Sequence, residues 1–309
     1  MGPETVAAAR DRIGAHLRRT PVLRATLATV HGPREVVFKL EYTQIGGCFK
    51  VRGSLNAVLH AQESGQLGRA GVLVASGGNA AIGAAWAARI AGTTCTVVLP
   101  QAAPTVKVDA LRALGATVHQ VGDRYQAAAD AAVGMATESG ALLLHAYDQP
   151  DIVAGAGTIA LELADDVAGP LTTVACVGGG GLLGGLTAAS RPGDRVVGVE
   201  PSGSSCLHQA LIAGRPVSVD PDSVAADSLG ASRVGDICWA TIAGRDVGSV
   251  LVTDDDVIAA RRHLWESTRI LVEHGTAAAV AAVLTGAVAP EDDSTLCVLL
   301  CGANTALHV

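Results

Sequence analysis

Short runs of Val, Leu and Ile recur along the chain, each closing on turn residues and followed by apolar positions at helical spacing. The runs predict strands over Val36–Glu41, Val72–Ala75, Thr96–Leu99, Thr117–Val121, Leu142–His145, Thr173–Val177, Val196–Glu200, Val250–Thr253 and Leu296–Leu300. Between them the spacing predicts helices over Gly53–Ser64, Ala80–Ala91, Val106–Leu114, Tyr125–Ser139, Gly155–Leu163 and Asp254–Val272. Strands that are apolar at successive positions are buried on both faces, and strands alternating with helices indicate parallel sheet. So many strands suit an α/β fold of two doubly wound, mostly parallel sheets flanked by helices. No repeat or long linker marks a boundary, so a division must pass through short connections. The expected division is a large domain of residues 1–70 plus 148–309 and a small one of residues 71–147. The alanine-rich tract from Gly275 to Pro290 is shorter than the ~18 residues a membrane span needs and reads as a buried helix.

Composition narrows the class. Hydrophobic residues make up 49% of the 309 and charged ones 17%, enough for a sizeable core and against wholesale disorder. Aromatic residues are only 3% while glycines number 37, so small residues must fill much of the interior. A net charge of −7 argues against nucleic acid as a partner, although a cradle of backbone N–H groups binds an anion whatever the net charge. The seven cysteines are odd in number and form no Cys-x-x-Cys pair, a pattern of reduced thiols in a cytoplasmic protein. The opening Met1-Gly2-Pro3-Glu4 carries an acid and no apolar core, so no secretory signal and no membrane partner are expected.

Four segments carry candidate chemistry. In Gly46-Gly47-Cys48-Phe49-Lys50-Val51-Arg52-Gly53 a lysine follows a tight glycine turn among apolar neighbours. A lone lysine is ordinarily a solvated charge; held in a pocket, it loses its proton and serves as an imine-forming nucleophile or base. In Ala75-Ser76-Gly77-Gly78-Asn79 a strand end passes through a glycine loop into a helix, either a plain helix start or a carboxylate site on free N–H groups. Gly178-Gly179-Gly180-Gly181-Leu182 follows the strand Thr173–Val177 and lets backbone approach a phosphate at a helix start. Gly179, Gly181 and Gly184 also fit a dinucleotide fingerprint, with Glu200 closing the next strand, so on spacing alone a nicotinamide-dependent oxidoreductase stays open. Cys301 ends the last strand beside Gly302, where α/β proteins place ligands, though a buried cysteine is usually a small hydrophobe.

In this order and combination, the segments resemble the fold-type II pyridoxal-phosphate enzymes, with their tryptophan synthase beta-like fold. The nearest branch is that of serine and threonine ammonia-lyases (dehydratases) and serine racemase. The resemblance runs nearly the whole chain and includes Pro100-Gln101-Ala102-Ala103-Pro104, Ala154-Gly155-Ala156-Gly157-Thr158 and Val199-Glu200-Pro201. It implies pyridoxal 5′-phosphate as cofactor, a large cofactor-binding domain, a small domain carrying the substrate loop, a small amino-acid substrate and a homodimer. It makes Lys50 the Schiff-base lysine and Phe49 the residue against the cofactor ring. Asn79 becomes the partner of the ring's O3′, and Gly178, Gly179, Gly180, Gly181 and Leu182 the phosphate grip. Cys301 would lie beside the pyridine nitrogen, and Ser76, Gly77, Gly78 and Asn79 would hold the substrate carboxylate. The reaction implied is β-elimination from a β-hydroxy α-amino acid, giving a 2-oxo acid and ammonia; a racemase or the elimination of another β-substituent is the alternative within the family.

The chain also departs from the family's pattern. Gly77 stands where the racemase carries a serine base, and Ala80 where a histidine is usual. Glu200 matches a metal ligand of cation-activated relatives, but Cys206 replaces its partner acid, so no metal site is expected. Ser228 stands where relatives have glycine, and Glu273-His274-Gly275 replaces Glu-Pro-Ser/Thr. These changes point to a specialised dehydratase, for instance one for a hydroxy amino acid larger than threonine. No C-terminal regulatory domain, and so no feedback inhibition, is expected.

Overall fold

The computed structural model describes residues 1–289 and 293–306. Ten strands run in chain order: β1 Val22–Thr29, β2 Gly32–Lys39, β3 Val72–Ala75, β4 Cys95–Leu99, β5 Thr117–Gln120, β6 Leu142–Leu144, β7 Leu171–Cys176, β8 Arg195–Pro201, β9 Val247–Val252 and β10 Thr295–Leu299. The helices are α1 Pro3–Ile13, α2 Lys50–Glu63, α3 Asn79–Ala91, α4 Thr105–Ala113, α5 Tyr125–Ser139, α6 Pro150–Asp166, α7 Gly181–Ala189, α8 Cys206–Ala213, α9 Ala226–Leu229, α10 Asp236–Ile242, α11 Asp254–Thr268 and α12 His274–Leu284. The strands form a six-stranded sheet, β1-β2-β10-β7-β8-β9, and a four-stranded sheet, β5-β4-β3-β6. Every pairing is parallel except the β1–β2 hairpin. The expected architecture is therefore the observed one.

Parallel strands need helices on both faces, and each sheet has them. Val174, Val196 and Val298 of the larger sheet share one core with Leu183 of α7 and Val280 of α12. In the smaller sheet Val72, Val74 and Val97 pack on Leu55 and Val58 of α2 and Ala84 of α3, while Leu73 and Val98 meet Ala128 and Ala132 of α5. Every strand of the smaller sheet lies between residues 72 and 144. We propose that the domains divide as the sequence suggests, with α2 reaching from the larger into the core of the smaller.

Three helices touch backbone to backbone because glycine removes the side chain between them. A Cβ on Gly53 of α2 would lie 2.6 Å from Ile152 O of α6, and one on Gly155 would collide with Arg52 O. Gly157 of α6 meets Gly185 O of α7 in the same way, at 2.6 Å. A buried ionic network locks this stack. Arg52 donates through Nε and Nη2 to the two carboxylate oxygens of Glu41, both at 2.8 Å, and through Nη1 to Glu162 at 2.7 Å and Thr158 at 3.1 Å. Lys39, fully buried, donates to Glu162 at 2.7 Å and to Thr20 O at 2.7 Å. Burial alone would raise the Glu162 carboxyl, but Arg52 and Lys39 outweigh it and hold it below the ordinary range.

The structure corrects several expectations. Residues 40 and 41 leave β2, because Glu41 turns inward to Arg52. Strand β1 was not predicted: only Leu27 of its eight residues is buried, so it lacks a continuous apolar run. The single helix expected over Asp254–Val272 stops at Thr268, where Arg269 adopts a left-handed conformation (φ 60°). The tract from Gly275 does form a helix, but it ends at Leu284, and residue 290 lies outside the described residues. Among the described residues no helix is long and apolar enough to cross a membrane.

Candidate active site

Lys50 begins α2, and the chain before it is fastened to the end of the last strand. Gly46 and Gly47 both take positive φ (82° and 73°), a turn that side chains resist. Cys48 then bridges Gly302, and Phe49 N donates to Cys301 O at 3.1 Å, which seats Lys50 beside the carboxyl end of β10. Its Nζ donates to Ala146 O at 2.7 Å and lies 5.2 Å from the Phe49 ring centroid. Helix α3 covers it closely: a Cβ on Gly83 would sit 2.9 Å from the Lys50 carbonyl carbon. Burial lowers the pKa of the amine, and the opposing pull of Cys48, Cys301, Cys176 and Glu273 does not restore it. A lysine so placed has a larger neutral, nucleophilic fraction than a surface one.

The glycine run leaves β7 and opens α7. Gly180 has φ 86°, and a Cβ there would lie 2.6 Å from the Cys238 sulfur; one on Gly179 would collide with the Tyr147 ring. Among the described residues no protein acceptor takes the backbone N–H of Gly179, Gly180, Gly181 or Leu182. The first N–H groups of any helix lack intrahelical partners, and the helix dipole favours an anion there. This is an anion cradle made of main chain.

The Ser76–Asn79 loop starts α3. Ser76 Oγ accepts from Gly78 N at 3.2 Å, and Gly77 faces Leu99. Asn79 Nδ2 donates to both oxygens of Glu273, at 2.8 and 3.0 Å, while its Oδ1 accepts from Asn304 Nδ2 at 2.7 Å. Asn79 is thus gripped from two sides, by Glu273 and Asn304, neither of which carries a sequence-assigned role. Both belong to segments singled out for other residues: Glu273 to Glu273-His274-Gly275, and Asn304 to Cys301-Gly302-Ala303-Asn304, where only Cys301 is given a role. Burial pushes the Glu273 carboxyl up to about 7; Asn79 pulls against this, Asp227 adds to it, and Lys50 and Lys107 oppose it. Lys107 of α4 forms an ion pair with Asp227 of α9, joining these two helices beside the same loop.

Cys301 lies under this group, its sulfur 3.2 Å from Cys176 and 3.1 Å from Thr276 Oγ1. The hydrogen bond with Cys301, together with burial, holds the Cys176 thiol well above its usual range. Two of the departures prove complementary: a Cβ on Gly275 points directly at Ser228 Oγ, so Gly275 provides the room Ser228 needs. Glu200, the acid of the dinucleotide pattern, is occupied within the protein at the start of α8. Fully buried, it accepts from Leu207 N and His208 N, each at 2.8 Å. Burial pushes its carboxyl up to about 7 against those two amides and Cys206. Among the described residues no three His, Cys, Asp or Glu side chains gather as metal ligands.

The family model for pyridoxal-phosphate dependent enzymes matches residues 13–302. The chain belongs to that family. An L-threonine ammonia-lyase of Geobacter sulfurreducens is 34% identical to it over 294 residues, covering 94% of this chain and 73% of the relative. A serine racemase of Arabidopsis thaliana is 32% identical over 312 residues, covering 98% and 93%. The structure of maize serine racemase superposes with a TM-score of 0.92 at 27% identity, over 99% of this chain and 94% of that one. The cofactor of this pyridoxal-phosphate enzyme fits the residues present. An amine with lowered pKa suits an aldehyde, and four free amides at a helix start suit a phosphate.

Proposed function

We propose that the enzyme is an ammonia-lyase (dehydratase) that eliminates the β-hydroxyl of an α-amino acid such as serine, threonine or a larger analogue. Lys50 would anchor the cofactor, Phe49 flank its ring, Asn79 meet its phenolic oxygen and Cys301 its ring nitrogen. Gly178, Gly179, Gly180, Gly181 and Leu182 would hold its phosphate, while Ser76, Gly77, Gly78 and Asn79 receive the substrate carboxylate. Bound there, pyridoxal phosphate supplies an electron sink for the charge left on the α-carbon. The Lys50 amine takes the α-proton from one face. Hydroxide departs from the β-carbon, and the resulting enamine hydrolyses to a 2-oxo acid and ammonia. A thiol beside the ring nitrogen, in place of a carboxylate, would leave less charge delocalised into the ring and so favour prompt loss of the β-substituent. We also propose a homodimer and a cytoplasmic location, the latter from the seven free cysteines, all buried.

The observation that carries the reading is Gly77. Racemisation needs a second acid–base group on the opposite face, and here that position has no side chain and adjoins Leu99. A panel of hydroxy amino acids tests it. Ammonia and 2-oxo acid should appear together for at least one member, and Lys50→Ala should abolish both. Recovery of the inverted enantiomer with no ammonia would make the enzyme a racemase instead.

A further inference from the structure

We infer that Cys206, held by Glu200, is a positioning residue for the phosphate cradle. A peptide unit is planar, with its C=O and the following N–H pointing in opposite directions. Whatever holds the carbonyl of one residue therefore aims the amide of the next. Three successive carbonyls of the glycine run are held. Gly178 O accepts from the Cys206 thiol at 3.2 Å, Gly179 O from Gly235 N at 2.9 Å, and Gly180 O from Gly184 N at 2.8 Å. Their counterparts are the free amides of Gly179, Gly180 and Gly181. Two of the three restraints are backbone and insensitive to sequence. The first depends on a single side chain, and it governs the Gly179 amide.

That side chain is itself fixed. Cys206 is the first residue of α8, whose opening turn is bound by the carboxylate of Glu200 through the Leu207 and His208 amides. Ser204, two residues earlier, donates to Leu229 O at 2.7 Å and ties the same turn to α9. Cys206 is buried, and burial together with the Glu200 carboxyl raises its thiol to about 12, so it keeps the proton it donates. The inference rests on the family's cofactor and not on the elimination chemistry, so it stands whether the enzyme proves to be a lyase or a racemase.

The test compares binding of pyridoxal phosphate and of pyridoxal, which lacks the phosphate, to apoenzyme. Cys206→Ala should weaken pyridoxal phosphate about five- to tenfold, the range of one lost hydrogen bond, and leave pyridoxal within twofold. Cys206→Ser, which retains a donor, should return phosphate-dependent affinity to within threefold of wild type. Glu200→Gln, which keeps one acceptor oxygen, should give an intermediate loss with the same selectivity. Shifts in the phosphorus-31 resonance of the bound cofactor should follow the same order. Equal weakening of both ligands, unchanged pyridoxal phosphate binding in Cys206→Ala, or failure of serine to rescue would each overturn the assignment. If Cys206→Ala does not fold, the serine and Glu200→Gln variants decide by the same ratio.

Discussion

Replacing Arg52 by methionine removes the centre of the ionic network beneath Lys50. Glu41 would lose both of its 2.8 Å contacts and, among the described residues, keep the Thr20 hydroxyl as its side-chain partner, at a site with 0% exposure. Glu162 would retain Lys39 at 2.7 Å, so the damage concentrates on one carboxylate. Removing one partner of a buried pair costs about 3–5 kcal/mol, because the survivor remains dehydrated and unpaired. At roughly 2 °C per kcal/mol for a chain of this size, the melting temperature should fall by about 6–10 °C. Thermal melts of the two apoproteins at pH 7.5 measure this. A buried carboxylate without its cation neutralises by taking a proton, so the gap between variant and wild type should narrow by pH 5.5. A loss under 2 °C, or a gap that widens on acidification, would refute the claim that this network bears on α2 through charge.

Further expectations concern the complementary pair and the raised carboxyls. Gly275→Ser should destabilise by about 1–3 kcal/mol through its collision with Ser228, and Ser228→Gly in the same chain should recover most of it; additive losses in denaturant melts would disprove the pairing. Glu200 and Glu273 have folded pKa values raised to about 7 from an ordinary 4.5, so the stability they contribute is full below about 4.5 and is lost as pH rises through 7. His145 and His274, their pKa values lowered by burial, act the other way over the same interval, so the test is a difference: Glu200→Gln should gain melting temperature relative to wild type between pH 5.5 and pH 7.5, and an unchanged difference would contradict the Glu200 assignment.

Much of the fold was legible because parallel strands buried on both faces leave unbroken apolar runs, and Val72–Ala75 reads off the chain with its observed ends. The hairpin strand β1 escaped because Arg24, Thr26 and Thr29 interrupt its pattern, and its position at the sheet edge requires no apolar run. The end of α11 was hidden for a different reason: Arg269 takes a conformation that glycine normally announces. At the site, Lys50 and the glycine run were visible because backbone-approaching glycines cluster in sequence. The grip of Glu273 on Asn79 joins residues 194 positions apart, and nothing local in either segment records it. The Arg52–Glu41–Glu162–Lys39 network escaped likewise, since each member alone reads as an ordinary surface charge.

The contact of α2, α6 and α7 through bare glycines has a bearing on how this scaffold can diversify. At Gly53, Gly155, Gly157 and Gly185 even one added methyl group meets main chain, so drift there is closed. Ala80, Ser228 and His274 lie outside that stack and are not gripped by the anion cradle. A randomised library should therefore yield altered substrate preference at the latter three while returning almost no survivors at the former four. The chain would thus partition into a frozen chassis and an adaptable mouth, allowing new reactions to be acquired without rebuilding the cofactor seat.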